Sequence, residues 1–175
     1  MIREQRAIEL IALCFYVTIY KILKSQNLGG MMAKSHLDKT LTALAGEFLV
    51  AGQLCLKGYV ASLTLKNYPK VDIFCLNPKN GKQIAIQVKS KRGGNAYHIP
   101  ESIDIDKNPF VFVYIKKENN VDYYIVPAKD VARLSEKERK DYIEIRPTVN
   151  PIQPRMLSVV NMADYINRWD LLELE

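Results

Sequence analysis

The feature that most constrains the fold is a pair of short segments, 71–76 and 84–89, joined by the connection Asn77-Pro78-Lys79-Asn80-Gly81-Lys82. The second segment alternates in the way typical of a β-strand, and in the first Asp72 would lie on the face opposite to Val71, Ile73 and Cys75. Proline, asparagine and an Asn-Gly pair in so short a connection favour a tight turn. The sequence therefore predicts an antiparallel β-hairpin. If Asn77 and Lys82 close it, Asp72 faces Gln87 across the two strands.

Alternation also predicts which side chains of the hairpin share a face. Ile84, Ile86 and Val88 would point to one side of the second strand, with Gln87 and Lys89 on the other. Asp72 would join Gln87 and Lys89, so that a carboxylate, an amide oxygen and an ammonium come within a few ångströms of each other. One alternative stays open at this point, because a half-buried acid and lysine also form simple ion pairs.

An amphipathic helix precedes the hairpin. Apolar residues recur at spacings of three and four, which predicts one buried face formed by Leu37, Leu41, Leu44, Phe48, Ala51 and Cys55. Gly58 would end the helix as its C-terminal cap. Glu47 lies at the edge of that predicted face, where a carboxylate needs a partner or a wet cleft.

The rest of the chain predicts a mixed α/β fold with one central mixed β-sheet flanked by helices. Further strands are predicted at 59–65, 110–115 and 121–126, with the apolar run 110–115 covered on both faces. After Pro127 we expect a helix over 128–134, a second short helix that begins at a capping box at 135–138, and a short strand at 142–145. A loop over 147–154 and a terminal helix over 162–172 complete the domain.

The basic residues are concentrated in one part of the chain. Between Lys57 and Arg92 eight lysines and arginines oppose a single acid, Asp72, although the whole chain carries a net charge of only +6. A local field of this kind favours a polyanion such as nucleic acid, or an anionic membrane surface. A solvated lysine-rich face is the alternative that charge alone leaves open.

The cysteines and the N-terminal segment bear on the compartment and the domain limits. Cys14, Cys55 and Cys75 are far apart among apolar residues, which predicts buried free thiols in a reducing, cytoplasmic environment. The apolar run 10–20 is shorter than the ~20 residues that a membrane span needs. We therefore predict an N-terminal extension over 1–31, either a packed helix or a misassigned start before Met31 or Met32, and one domain over 32–175 without a membrane anchor.

Three segments resemble the three motifs of the PD-(D/E)XK nuclease superfamily. They are Gly46-Glu47-Phe48-Leu49-Val50-Ala51, Val71-Asp72-Ile73 and Ile86-Gln87-Val88-Lys89. Their order is that of the superfamily: an acid on the first helix, an acid on a strand, a turn, and a strand that carries (D/E/Q)-x-K. The resemblance covers most of residues 38 to 175. Two departures are Val71 in place of proline and Gln87 in place of an acidic ligand, and the second removes a charge from the metal site.

The resemblance implies a restriction-endonuclease-like core and a Mg²⁺-dependent endonuclease, with Mn²⁺ as a substitute. Its active site would consist of Glu47, Asp72, Gln87 and Lys89, and its metal ligands would be Asp72, Gln87, the Val88 carbonyl and Glu47. Nucleic-acid contacts would come from Lys70, Ser90, Lys91 and Arg92. DNA is the expected substrate, with RNA left open. Two alternatives remain: a nucleic-acid-binding module on the same fold that has lost catalysis, and a non-catalytic partner subunit or homodimer.

Overall fold

A computed structural model of the chain describes residues 31–64, 70–116, 120–146 and 154–175, with side chains from residue 38 onward. Along the chain these residues form helix α1 (Met31–Leu56), strands β1 (Val60–Leu63), β2 (Ile73–Leu76), β3 (Gln83–Arg92), β4 (Ala96–His98), β5 (Phe110–Ile115) and β6 (Val121–Val126), helix α2 (Ala128–Ile145), strand β7 (Met156–Ser158), and two 3₁₀ helices (Val160–Tyr165 and Trp169–Leu172).

Five of the strands form one mixed sheet in the order β1-β2-β3-β5-β6. Among the described strands β3 and β5 run parallel, and the other neighbours in this sheet run antiparallel. Hydrophobic residues of α1 pack on one face of the sheet, and those of α2 pack on the other. The predicted mixed α/β fold with a central mixed sheet flanked by helices is therefore confirmed.

The core has two parts, one on each face of this sheet. Residues that pack between α1 and the sheet include Val50, Leu54, Ile73, Ile86, Val88, Val111 and Val113. Those on the α2 face include Phe110, Phe112, Tyr124, Val126 and Val131. Successive residues of β5 thus alternate between the two clusters, because neighbouring side chains of a strand point to opposite faces. The strand is covered on both faces, as its continuous apolar run predicts.

The β2–β3 hairpin has the predicted register. The amide of Asn77 donates to the carbonyl of Lys82 at 2.9 Å and closes the turn. The paired residues then run from Leu76 with Gln83 to Ile73 with Ile86, which is the register that this closure implies. Turn chemistry and alternation were sufficient to place the backbone up to this point. The ladder ends at Ile73, so the predicted pairing of Asp72 with Gln87 is not formed, and Asp72 bonds to Ile86 and Val88 instead.

Helix α1 presents a different face to the sheet from the one predicted. Of the predicted apolar face, Leu41 is buried and Leu44 and Ala51 are half-buried, but Phe48 is 49% exposed and Cys55 is exposed too. Gly46, Val50 and Leu54, four residues apart, are buried instead. A Cβ atom on Gly46 would lie only 2.6 Å from the Ser90 Cβ atom. The helix therefore approaches β3 closely at a position that has no side chain.

The two described cysteines are both free thiols, as predicted, but only one is buried. Cys75 lies in the α1-side core, and its burial raises the pKa of its thiol to about 11. Cys55 is exposed because it falls on the open face of α1. The prediction that both thiols are buried is therefore wrong for Cys55, and Cys14 lies outside the described residues.

Helix α2 replaces three predicted elements with one. It continues from Ala128 to Ile145 without a break, so the second helix from Ser135 and the strand at 142–145 are both wrong. Ser135 does not cap a helix: its side chain is buried and its hydroxyl donates to the Ala132 carbonyl at 3.3 Å. Glu136 pairs with Arg139 inside the helix and with Arg155 outside it, and Glu138 accepts a hydrogen bond from the amide of Ser158.

The C-terminal region departs furthest from the prediction. β4 and β7 form a separate two-stranded antiparallel sheet that the sequence pattern did not indicate. In place of a helix over 162–172, two 3₁₀ helices flank Ile166, which bridges to Tyr124, and Asn167, whose φ is 55°. Nearly all of the predicted extension over 1–31 and of the loop over 147–154 lies outside the described residues. Within them, no helix is long and apolar enough to cross a membrane.

Candidate active site

Asp72 joins the start of β2 to the middle of β3. Its amide donates to the carbonyl of Ile86 at 2.9 Å, and its carboxylate oxygen Oδ2 accepts from the amide of Val88 at 2.6 Å. Val88 separates Gln87 from Lys89. The carboxylate therefore lies at the centre of the (D/E/Q)-x-K segment, bonded to its backbone.

The backbone of β3 has an open edge at this point. The amide of Gln87 donates to Pro109, towards β5, whereas the amide of Val88 points the other way, towards Asp72. A strand residue directs its N–H and its C=O to the same side. The Val88 carbonyl thus lies on the edge that Asp72 occupies, and no described strand pairs with this edge beyond Ile86.

Burial makes the Asp72 carboxylate a group that favours a nearby cation. Its desolvation raises its pKa, an effect that the hydrogen bond from Val88 and the positive charge of Lys89 offset only in part. The carboxylate, the Val88 carbonyl and the Gln87 amide are all oxygen donors, which hard divalent cations prefer. This donor set fits a magnesium ion, and a cation there would relieve the cost of burying the charge.

The raised pKa of Asp72 gives a prediction about stability in metal-free solution. A carboxyl whose pKa is higher in the folded state contributes stability below its unfolded pKa and loses it as pH rises through the folded pKa. Asp72→Asn, which keeps an oxygen acceptor for the Val88 amide, should therefore raise the free energy of unfolding at neutral pH. The gain should shrink as pH falls below the ordinary aspartate range. Urea unfolding in EDTA across this pH range measures it, and an equal gain at every pH would contradict it.

Gln87 and Lys89 share a face of β3, as the alternation predicts. In the parallel ladder Gln87 is paired with Phe110 and Lys89 with Phe112, on the face that carries the α2-side core. Gln87 lines a cleft of about 420 Å³ on this face. The other residues that line it are Lys70, Val71, Phe74, Ala85, Ile103, Asp104, Lys107, Asn108 and Phe110.

Glu47 lies half-buried on α1, one residue after the contact of Gly46 with Ser90. That helix packs against the Val88 side of β3, so Glu47 comes from the face opposite to the Gln87 and Lys89 side chains. That Glu47 completes the site stays a prediction.

The four predicted nucleic-acid contacts are in different situations. Lys70 and Arg92 are exposed, and Lys70 lines the cleft. The Lys91 ammonium donates to the Ala96 carbonyl and lies 5.0 Å from the centre of the Tyr97 ring, and burial lowers its pKa. The Ser90 hydroxyl is buried and has no hydrogen-bond partner among the described residues. Ser90 is therefore not available to a phosphate in this conformation, because the α1 contact covers it.

Among the described residues, no group of three or more histidines, cysteines, aspartates or glutamates could hold a metal ion. The predicted ligand set has only two acids, together with an amide and a main-chain carbonyl, so it is not a group of three such side chains.

Comparisons with family models, with curated proteins and with solved structures gave no match to this chain.

Sequence reasoning identified Lys70 but missed the aromatic wall of the cleft and its second lysine, Lys107. Phe74 could have been found, because it lies two residues after Asp72 and alternation puts it on the same face as Ala85 and Gln87. Lys107 and Asn108 could not, because they belong to an irregular segment before β5 whose path no periodic pattern indicates.

Proposed function

We propose that this chain is a metal-dependent endonuclease that hydrolyses phosphodiester bonds in DNA, on a restriction-endonuclease-like core of the PD-(D/E)XK kind. The observation that supports it most is the hydrogen bond from Val88 to the Asp72 carboxylate at the open edge of β3. It brings the acid of the second motif onto the strand of the third, where the charge of Lys89 acts on it. A simple ion pair would need neither the open edge nor the neighbouring carbonyl.

Asp72, the Val88 carbonyl, the Gln87 amide oxygen and Glu47 would hold the metal ion, Mg²⁺ or Mn²⁺. Bound there, a hard divalent cation supplies an activated water and neutralises charge on the phosphate. Gln87 contributes an oxygen without a formal charge, so this chain should bind the metal more weakly than one with an acid at that position. Because Gln87 is uncharged, metal binding would depend more strongly on the Asp72 carboxylate.

Lysine and arginine side chains of the chain would bind and position the nucleic acid. The Lys89 ammonium would orient the attacking water and stabilise charge that develops on the phosphate oxygens. Lys70 and Arg92, both exposed, would contact flanking phosphates and so fix the position of the backbone. The basic stretch between Lys57 and Arg92 would raise the local concentration of the polyanion.

The test is cleavage of supercoiled plasmid and of single-stranded DNA with Mg²⁺, with Mn²⁺ and with EDTA. We expect cleavage with either metal and none with EDTA. Gln87→Glu adds an anionic oxygen at the metal, so cleavage at limiting Mg²⁺ should rise. Gln83→Glu is the matched control, because it makes the same change at an exposed position on the same strand. Cleavage that persists in EDTA would refute the proposal.

A nucleic-acid-binding module that has lost catalysis is the second candidate. It is favoured by the position of Gln87, which lines a cleft with Phe74 and Phe110 and not a cluster of acids. The two functions separate on Asp72→Ala. In a nuclease this change removes cleavage and leaves metal-free DNA affinity unchanged or slightly higher, because a carboxylate no longer repels phosphate. In a binding module the wild-type chain binds without cleaving, and Asp72→Ala behaves in the same way.

A further inference from the structure

The cleft beside Gln87 has an aromatic wall that is open to solvent. Phe74 is 46% exposed, whereas its neighbours on β2, Ile73 and Cys75, are buried. Ala85, the cross-strand neighbour of Phe74, and Phe110 also line the cleft, together with residues of the segment 103–108. A large ring exposed in a recess, next to apolar side chains, is a surface on which a flat apolar ligand can stack.

The rim of the cleft is basic. Lys70 and Lys107 line it, and Asp104 is the only acid among the described residues that do so. Lys107 forms an ion pair with Asp104 at 2.9 Å, with the two side chains 70% and 45% exposed. Exposed pairs of this kind contribute little to stability, so Lys107 can exchange its partner for a phosphate at little cost. The cleft thus combines an apolar floor with a cationic rim.

We propose that this cleft binds the unstacked base of a single-stranded nucleotide, with Phe74 as the stacking surface and Lys70 and Lys107 as contacts to its flanking phosphates. The volume of about 420 Å³ falls in the usual range for sites that enclose a small ligand or a part of a larger one. Stacking of bases on aromatic rings between lysines is the general means by which proteins hold single strands.

The cleft excludes duplex nucleic acid, and this identifies a single-stranded nucleotide as the ligand. In a duplex each base is stacked and paired, so its flat surface cannot meet Phe74 unless the nucleotide leaves the helix. Gln87 belongs both to the cleft and to the proposed metal ligands, so the bound nucleotide would lie next to the scissile phosphate. The position of the nucleotide next to the scissile phosphate rests on the proposed function. The inference restricts the substrate to single-stranded or locally unpaired nucleic acid.

Binding measured by fluorescence anisotropy in EDTA tests the cleft without requiring cleavage. The probes are labelled oligothymidylate and oligouridylate of about 12 nucleotides, within the length that single-strand sites cover, and a DNA duplex of equal length. Phe74→Leu should weaken single-strand binding about five- to hundredfold, the effect of losing one stacked base, and should change duplex binding less than twofold. The DNA and RNA probes show which nucleic acid the cleft prefers.

Phe48→Leu is the matched control, because Phe48 is equally exposed but lies on α1, on the other face of the sheet. It should leave binding unchanged. Phe74→Trp keeps a stacking ring, so it should retain affinity, and single-strand binding should change the tryptophan fluorescence. Thermal unfolding of each variant shows that the fold is intact.

The outcomes separate this inference from the nuclease proposal. If single-strand binding depends on Phe74 but no metal supports cleavage, the cleft binds nucleotides and the nuclease proposal is wrong. Metal-dependent cleavage with equal single-strand affinity in Phe74→Leu and the wild-type chain rejects the cleft and keeps the enzyme. Equal losses for duplex and single strand, or for Phe74→Leu and Phe48→Leu, also overturn the inference.

Discussion

Lys89→Ala should lower the rate of phosphodiester cleavage by about 10²–10⁴-fold, the usual contribution of a positioned acid–base group. Its charge acts on Asp72, and its side chain lies on the same face of β3 as Gln87. Removing the ammonium would leave the Asp72 carboxylate and the Val88 carbonyl in place. Metal binding should therefore survive while cleavage is lost. Single-turnover cleavage at saturating Mg²⁺ measures the rate of the chemical step.

Lys79→Ala is the control for this experiment. Lys79 is an exposed lysine on the hairpin turn, and it carries the same charge within the same basic stretch. Its loss should weaken DNA binding slightly through the general field and leave the single-turnover rate unchanged. Equal rates for Lys89→Ala and the wild-type chain would remove Lys89 from the active site.

Gly46→Ala should destabilise the fold by about 1–3 kcal/mol, the usual cost of adding an atom to a packed interface. In an exposed helix the same change would stabilise the protein by about 1 kcal/mol, so the sign of the effect tests the contact. The new methyl group would overlap the Ser90 side chain and lie 3.6 Å from Val113. Either α1 or β3 must then shift. Urea unfolding measures the free energy of unfolding.

A second substitution shows whether the contact with Ser90 is the cause. Ser90→Gly removes the side chain that the methyl would overlap, so the double variant should recover most of the lost stability. Ser90→Ala should not rescue Gly46→Ala, because the Cβ atom of residue 90 would still lie 2.6 Å away. If Gly46→Ala proves stabilising by itself, α1 does not approach β3 as closely as the structure has it.

The parts of the fold that could be predicted depend on local chemistry. Turn residues between Asn77 and Lys82 set the hairpin register, and the apolar run of β5 indicated a strand covered on both faces. What failed depends on contacts distant in sequence. The face of α1 is decided by Gly46 against Ser90, and α2 continues through Ser135 because its acids bind Arg155 and Ser158. The spacing of residues along the chain predicts neither of these contacts.

The candidate site divides in the same way. The common face of Gln87 and Lys89 follows from alternation within one strand, and the neighbouring Asp72 follows from the hairpin turn. The hydrogen bond from Val88 to Asp72 depends on β2 ending its ladder at Ile73, which no residue pattern indicates. The position of Glu47 depends on the face of α1, and so it could not be predicted once that face was wrong.

Because β3 pairs with β5 in parallel, the shape of the cleft wall can change independently of the strands that carry the candidate site. A parallel neighbour requires a long crossover, here residues 93–109, and part of that crossover forms the outer wall of the cleft. Insertions or deletions there would reshape the wall without moving β2 or β3, because surface connections tolerate changes of length. Chains with this fold could thus differ in what the cleft binds while they keep the same strands at the candidate site.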